Sequence, residues 1–193
     1  MNKNNKVISS FGKEWKKFDQ SKLDKLELNK IFKDYFKIFP WKLIDKSSVG
    51  FDMGCGSGRW AKVVAPRVGL LNCIEPSVAI EVAKKNLDQN KNIKFIKLKI
   101  EEINLKTDSQ DFGYCLGVLH HTENTQKNLN KCVSLLKKNA PFLVYLYYKF
   151  DNRNFIYFLI WKFSDILRSI ISQLPEIFKI LISDLLAIII YYP

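Results

Sequence analysis

The chain has 193 residues and a mass of 22.6 kDa, which suffices for one compact domain with a sizeable core but not for two large ones. Its composition, 47% hydrophobic and 26% charged, is typical of a globular protein and excludes a largely disordered chain or a minimal disulfide scaffold. The net charge of +12 would suit an anionic partner. Only four of the 31 basic residues are arginines, whose guanidinium group binds phosphate in a bidentate geometry that lysine cannot match. The composition therefore disfavours a nucleic-acid partner.

The N-terminal 45 residues are predicted to form a helical cap. Residues 11–41 carry apolar side chains at helix-like spacing and favour one or two helices, which Pro40 ends. The apolar face would consist of Leu23, Leu26, Ile31, Tyr35 and Phe39.

Residues 46–150 alternate between strand-like and helix-like segments. The predicted strands are residues 49–53, 70–75, 93–98, 112–118 and 142–148. The predicted helices are residues 60–68, 77–90, 101–105 and 125–136, with Ser77 as the N-cap of the second. This alternation predicts an α/β, Rossmann-like fold with a mainly parallel sheet and helices on both faces. Ligands of such sheets bind beyond the carboxyl ends of the strands.

Residues 151–193 are predicted to form a C-terminal helical extension of two helices separated at Pro175. Its longest uncharged stretch, residues 185–192, is far shorter than the about 20 residues that span a membrane. We expect these helices to pack on the sheet or on each other. Alternatively, the extension serves as a lid, or faces a partner or a membrane surface.

The cysteines indicate the cellular compartment in which the protein resides. Four cysteines without a C-x-x-C pair, three of them in or beside apolar stretches, are typical of buried free thiols in a reducing cytoplasm. The first ten residues lack the apolar stretch of a signal peptide. We therefore expect a cytoplasmic protein, with peripheral contact to a membrane as the alternative.

The motif that says most about function is a glycine-rich turn predicted after the first strand. Gly54, Gly56 and Gly58 stand at alternate positions, where glycine permits positive φ and leaves room for a ligand against the backbone. Asp52 precedes them by two residues, and the third glycine falls one position early for a dinucleotide fingerprint. Glu75 ends the next strand, where an acidic side chain can accept both ribose hydroxyls. Together these residues indicate a nucleoside with a positively charged tail.

Three segments resemble the class I S-adenosylmethionine-dependent methyltransferases, particularly the group called methyltransferase type 11. They are FDMGCGSGRWA from position 51, IEPS from position 74 and DFGYCLGVLHHTEN from position 111, and the resemblance covers about residues 45–150. It implies S-adenosyl-L-methionine as cofactor. The cofactor-binding residues it implies are Asp52, Gly54, Cys55, Gly56, Gly58, Glu75, Pro76, Ile100, Glu101, Leu116 and Val118.

The resemblance also distributes roles among these residues. Asp52 and the glycines would surround the methionine portion, and Glu75 would hold the ribose. Residues 100 and 101 would flank the adenine, and residues 116–120 would form the wall near the sulfonium. Where relatives carry a Gly-Asp-Ala-Glu-like stretch, this chain has Leu-Lys-Ile-Glu at 98–101, so adenine recognition would rest on Glu101 or on backbone groups.

Two adjacent histidines follow the fourth predicted strand. His120 is the candidate general base, because an imidazole titrates near neutrality and this loop faces the expected crevice. In the alternative interpretation, His120 and His121 only shape the pocket. No metal site is predicted, since two neighbouring histidines lack the ligand count of a catalytic zinc.

The function that follows is methyl transfer to a small-molecule or lipid-linked acceptor. One alternative is a cofactor-binding but inactive regulatory or structural subunit. Another is a nucleic-acid methyltransferase, which is disfavoured because no N/D-P-P-Y/F motif follows the fourth strand. Relatives complete their sheet with two further strands, so we expect a C-terminally truncated chain or one that pairs with another chain. The oligomeric state stays open.

Overall fold

A computed structural model of the chain describes residues 3–21, 23–147 and 153–191. The chain divides into two compact units, Met1–Tyr147 and Tyr148–Pro193. The first unit contains α1 (Lys3–Lys17), α2 (Lys25–Tyr35), β1 (Val49–Met53), α3 (Ala61–Val64), β2 (Leu70–Ile74), α4 (Ala79–Asn86), β3 (Ile93–Ile96), β4 (Phe112–Leu116), α5 (Thr125–Leu135) and β5 (Phe142–Tyr145). The second contains α6 (Phe155–Gln173) and α7 (Glu176–Tyr191).

The five strands form one parallel sheet in the order β3-β2-β1-β4-β5. Gly50 in the central strand β1 pairs with Leu71 of β2 on one side and with Phe112 of β4 on the other. The chain therefore runs outward from β1 in one direction and then returns to add β4 and β5 in the other. This reversal opens a crevice beyond the carboxyl ends of β1 and β4, where such folds bind ligands.

Two apolar clusters cover the two faces of the sheet. On one face, α2, α3 and α4 bury residues such as Phe36, Val64 and Ile80 together with Tyr114 of β4. On the other face, α5 and two short 3-10 helices, Ile100–Glu102 and Leu119–His121, pack around Phe51. The predicted α/β, Rossmann-like fold with helices on both faces is thus confirmed.

Several element boundaries differ from the predictions: α4 ends at Asn86 and not at residue 90, and the helix predicted over residues 101–105 is only the 3-10 turn Ile100–Glu102. Strands β2, β3, β4 and β5 each end one to three residues earlier than predicted, because the chain turns into loops there. In β4, for example, Gly117 adopts a φ of +77°, which is incompatible with an extended strand. Helix α4 begins at Ala79, so its N-cap is Val78 and not the predicted Ser77. The Ser77 hydroxyl oxygen nevertheless accepts a hydrogen bond from the Ala79 N–H over 3.1 Å. Helix α3 gives way to a 3-10 turn at Ala65–Arg67, since Pro66 has no N–H to donate.

The second unit consists of two apolar helices. α6 has no buried residue, and most of the large apolar side chains described in α6 and α7 are exposed. Across the ranges given above, no helix is both long and apolar enough to cross a membrane. The division between the helices at Pro175 agrees with the prediction. The roles predicted for this extension, as a lid or as a surface for a partner or a membrane, stay predictions.

Candidate cofactor and active site

The glycine turn after β1 is held by hydrogen bonds to the end of β2. The N–H groups of Gly54 and Cys55 both donate to the carbonyl of Ile74, over 2.8 and 3.0 Å. Gly54 and Gly56 have φ values of +80° and +54°, which favour glycine. The turn thus bends back over the edge of the sheet and brings Gly54 to the crevice.

Glu75 fastens this turn to the loop that leads into α4. Its Oε2 accepts from the N–H of Gly56 over 3.2 Å, and its Oε1 accepts from the N–H of Ser77 over 3.0 Å. A carboxylate can accept about four hydrogen bonds, so two lone-pair sites stay available to a ligand. Glu75 therefore shapes the turn in addition to the ligand-binding role that the sequence predicts for it.

Asp52 lies beneath the turn and is 2% exposed. Burial raises the pKa of its carboxyl to about 8, and the nearby charge of Glu75 adds to the rise, whereas Tyr114 and Arg59 oppose it. Its Oδ2 is buried without a hydrogen-bond partner among the described residues. A buried acceptor of this kind costs free energy until a donor satisfies it.

The raised pKa of Asp52 makes stability depend on pH. Between its unfolded value of 3.8 and its folded value of about 8, the folded chain retains a proton that the unfolded chain releases. The stabilisation from Asp52 is therefore complete below the lower value and is lost as pH rises through the upper one. We expect Asp52→Asn, which stays neutral, to gain stability relative to the parent chain on going from about pH 5 to about pH 8. Urea unfolding at both pH values measures this, and an unchanged difference would contradict it.

A cavity of about 350 Å³ opens above the turn. Seven of the predicted cofactor-binding residues line it: Gly54, Glu75, Pro76, Ile100, Glu101, Leu116 and Val118. The other four, Asp52, Cys55, Gly56 and Gly58, are not among its lining residues. Seven of the eleven residues that the sequence selects thus come together around one cavity, with Gly54 of the turn at its floor.

Helix α1, which lies in the N-terminal segment predicted to form a helical cap, supplies one wall of the cavity. Its lining residues are Val7, Ile8, Phe11, Glu14 and Trp15. Positions 7, 8, 11, 14 and 15 share one face of a helix, so their spacing could have revealed the wall. Trp15 approaches the turn so closely that a Cβ on Gly56 would lie 3.1 Å from its indole Nε1.

The end of α1 is tied to the glycine turn by polar side chains. The Ser57 hydroxyl donates to Gln20 Oε1 over 3.0 Å. The Asn86 amide donates both to the carbonyl of Asp19, over 2.8 Å, and to that of Ser57, over 3.0 Å. These bonds join the segment after α1, the turn and α4 at one point, and so place α1 beside the cavity.

Six aromatic rings line the cavity on the side of β4 and β5, and we call them the aromatic arc. Successive ring centroids are separated by 4.8, 6.2, 5.9, 5.4 and 4.9 Å. In that order the arc comprises Phe11, His121, Tyr147, Tyr145, Tyr35 and Trp60. The cavity thus combines a carboxylate-bearing side at Glu75 with an aromatic side.

The two histidines occupy different positions. His121 lines the cavity, whereas His120 does not. Both ring nitrogens of His120 are buried without a hydrogen-bond partner among the described residues, and its ring lies 4.3 Å from that of Tyr147. Burial lowers the pKa of each imidazole, so both are neutral at neutral pH. Of the two, His121 is the one placed to meet a ligand in the cavity.

The parallel sheet, the glycine turn and the acidic residue at the end of β2 are the features expected of the class I S-adenosylmethionine-dependent methyltransferase domain that the sequence resembles. The residues fit this cofactor, because the positive φ of Gly54 bends the turn that floors the cavity and the unpartnered oxygen of Asp52 lies beneath that turn. A ligand that bears an ammonium group suits such an oxygen.

Comparison with known proteins supports this class. Residues 51–144 match the model of a family described as a methyltransferase domain. The ubiquinone biosynthesis O-methyltransferase of Coxiella burnetii is 27% identical over 106 residues, which cover 54% of this chain and 44% of that protein. The family match covers just under half of this chain and supports a methyltransferase domain in residues 51–144.

Solved structures show the same fold. The YcgJ protein of Bacillus subtilis is 22% identical, with 61% of this chain and 48% of that chain covered and a TM-score of 0.52. Phosphoethanolamine N-methyltransferase 1 of Haemonchus contortus, solved with phosphoethanolamine and S-adenosylhomocysteine, is 16% identical, with 66% and 29% covered and a TM-score of 0.53. This chain spans less than half the length of each of these proteins and of the Coxiella relative.

Proposed function

We propose that the chain catalyses methyl transfer from S-adenosylmethionine to a small-molecule or lipid-linked acceptor that enters along the aromatic arc. One observation carries the proposal: a single cavity has the glycine turn and Glu75 on one side and the aromatic arc on the other. Donor and acceptor can therefore occupy adjacent halves of one site. The name of the Coxiella relative, which refers to O-methylation in ubiquinone biosynthesis, also favours an organic small molecule over a macromolecule.

The donor half of the cavity would hold the nucleoside and its amino-acid tail. Glu75 would accept from the ribose hydroxyls with the lone pairs that Gly56 and Ser77 leave free. Ile100 and Glu101 would border the base, and the Asn128 amide already orients Glu101 by donating to its Oε1 over 2.8 Å. When bound, S-adenosylmethionine supplies an electrophilic methyl group on a positively charged sulfur.

The acceptor half would orient the nucleophile and exclude water. Flat aromatic faces pack against apolar or planar groups and leave little room for solvent. The hydroxyls of Tyr35, Tyr145 and Tyr147 can hydrogen-bond polar groups of the acceptor. His121, neutral because burial lowers its pKa, would take the proton from an attacking hydroxyl or amine. Alignment and exclusion of water are what this reaction most needs from the protein.

Calorimetric titration of the purified chain tests the donor site first. We expect S-adenosylmethionine and S-adenosylhomocysteine to bind and NAD, the control, not to bind. A folded chain that binds neither methionine-derived ligand contradicts the proposal. Transfer of a labelled methyl group to candidate acceptors then tests catalysis, and binding without any transfer favours the alternative of an inactive, cofactor-binding subunit.

Parallel substitutions of the two histidines show which of them acts as the general base. We expect His121→Ala to lower kcat by about 100-fold or more, the usual contribution of a general base, with little effect on S-adenosylhomocysteine affinity. The acid limb of the parent pH profile should lie below the ordinary histidine pKa of 6.5, because burial lowers the pKa of His121. His120→Ala is the matched comparison and should have the smaller effect. A larger loss from His120→Ala would instead support His120 as the base.

A further inference from the structure

Arg59 is a cation in the cavity that the roles described so far leave unexplained. It directly follows the glycine turn and lines the cavity. Its guanidinium carbon lies 4.2 Å from the centroid of the Trp60 ring, which fixes one face of the group. Its Nε is buried without a hydrogen-bond partner among the described residues.

A buried guanidinium donor without an acceptor is costly, because it has lost water and gained nothing in return. Burial lowers the pKa of Arg59, and the proximity of Tyr35 and Asp52 raises it in part. An arginine nevertheless keeps its charge at neutral pH, since its ordinary pKa is so high. The site therefore presents a positive charge together with a donor that needs an acceptor.

Asp52 does not meet this need. Within the described ranges no ion pair joins Arg59 and Asp52 within 4.0 Å, and Asp52 retains its own unpartnered Oδ2. Asp52, whose pKa burial raises to about 8, is mostly protonated at neutral pH and so does not neutralise Arg59. The guanidinium of Arg59 therefore still needs an anionic group from the ligand.

We propose that Arg59 binds the α-carboxylate at the methionine end of S-adenosylmethionine and S-adenosylhomocysteine. This inference rests on the proposed function, which places that ligand in the cavity. A guanidinium presents paired N–H donors that match the two oxygens of a carboxylate.

The test compares two ligands that differ in the amino-acid end. S-adenosylhomocysteine carries the α-carboxylate, whereas 5′-methylthioadenosine shares its adenosine and sulfur but lacks the amino-acid group. We expect Arg59→Met to weaken binding of S-adenosylhomocysteine by about 10- to 100-fold, the range for a charge-assisted hydrogen bond, and to leave 5′-methylthioadenosine affinity nearly unchanged. Arg59→Lys, which keeps the charge without the fork, should fall between the parent and Arg59→Met.

The matched control is Arg67→Met. Arg67 also lies over aromatic rings, 5.1 Å from the centroid of Phe32 and 4.9 Å from that of Trp41, but it is exposed and does not line the cavity. The Arg67→Met variant should bind both ligands with the same affinity as the parent chain. Equal losses for both ligands in Arg59→Met, or no loss for either, would overturn the inference. A parent chain that fails to bind S-adenosylhomocysteine would instead overturn the proposed function.

Discussion

Gly54→Val should abolish cofactor binding and destabilise the domain. A Cβ on Gly54 would overlap the methyl groups of Val118 across the cavity floor. The residue also has a φ of +80°, where a side chain costs about 1–2 kcal/mol, and overpacking adds about 1–3 kcal/mol. Calorimetry with S-adenosylhomocysteine measures the loss of binding, and thermal unfolding measures the loss of stability.

Two further variants separate the effect of the positive φ from the effect of the overlap with Val118. Gly117→Ala introduces a side chain at a similar φ of +77° with no atom within 4 Å of the new Cβ, so it should destabilise the domain less than Gly54→Ala. Val118→Ala combined with Gly54→Ala removes the overlapping methyl groups and should recover part of the stability. Equal destabilisation by Gly54→Ala and Gly117→Ala would show that the overlap with Val118 is unimportant.

Glu75→Ala should weaken S-adenosylhomocysteine binding by about 10- to 100-fold and lower the free energy of unfolding by about 1–3 kcal/mol. The affinity falls because the ribose loses its acceptor, and the stability falls because the N–H groups of Gly56 and Ser77 lose theirs. Glu75→Gln keeps one acceptor oxygen and the side-chain volume, so both losses should be smaller.

Glu81→Ala is the control for the loss of a carboxylate. Glu81 lies on the exposed side of α4, where its only ion pair among the described residues is with Lys84. An exposed pair of this kind contributes little to stability. Its removal should change neither measurement appreciably. If Glu75→Ala resembles Glu81→Ala in affinity, the ribose is held elsewhere.

The sequence could reveal those parts of the site that lie close together in the chain. Asp52, the three glycines and Glu75 fall within 24 residues, and their spacing reflects one strand, one turn and the end of the next strand. Mainly apolar runs likewise predicted all five strands, and the three inner strands β1, β2 and β4 are almost entirely buried, as is typical of a parallel sheet.

The aromatic arc as a whole could not be predicted from the sequence, for a physical reason. The aromatic arc draws its rings from α1, α2, the turn after β1, the loop after β4 and the end of β5. No local pattern links positions so far apart in the chain. His120 and His121 show the same limit at short range, because neighbouring side chains of a 3-10 helix point about 120° apart and only packing decides which one meets the cavity.

The wall formed by α1 links ligand binding to folding. Gly12 is the only residue described as buried in α1, so the helix has little core of its own to keep it docked. A ligand that touches Phe11, Glu14 or Trp15 binds only the docked state and stabilises it by mass action. Backbone amides of α1 should therefore exchange with deuterium quickly in the free protein and slowly in the complex.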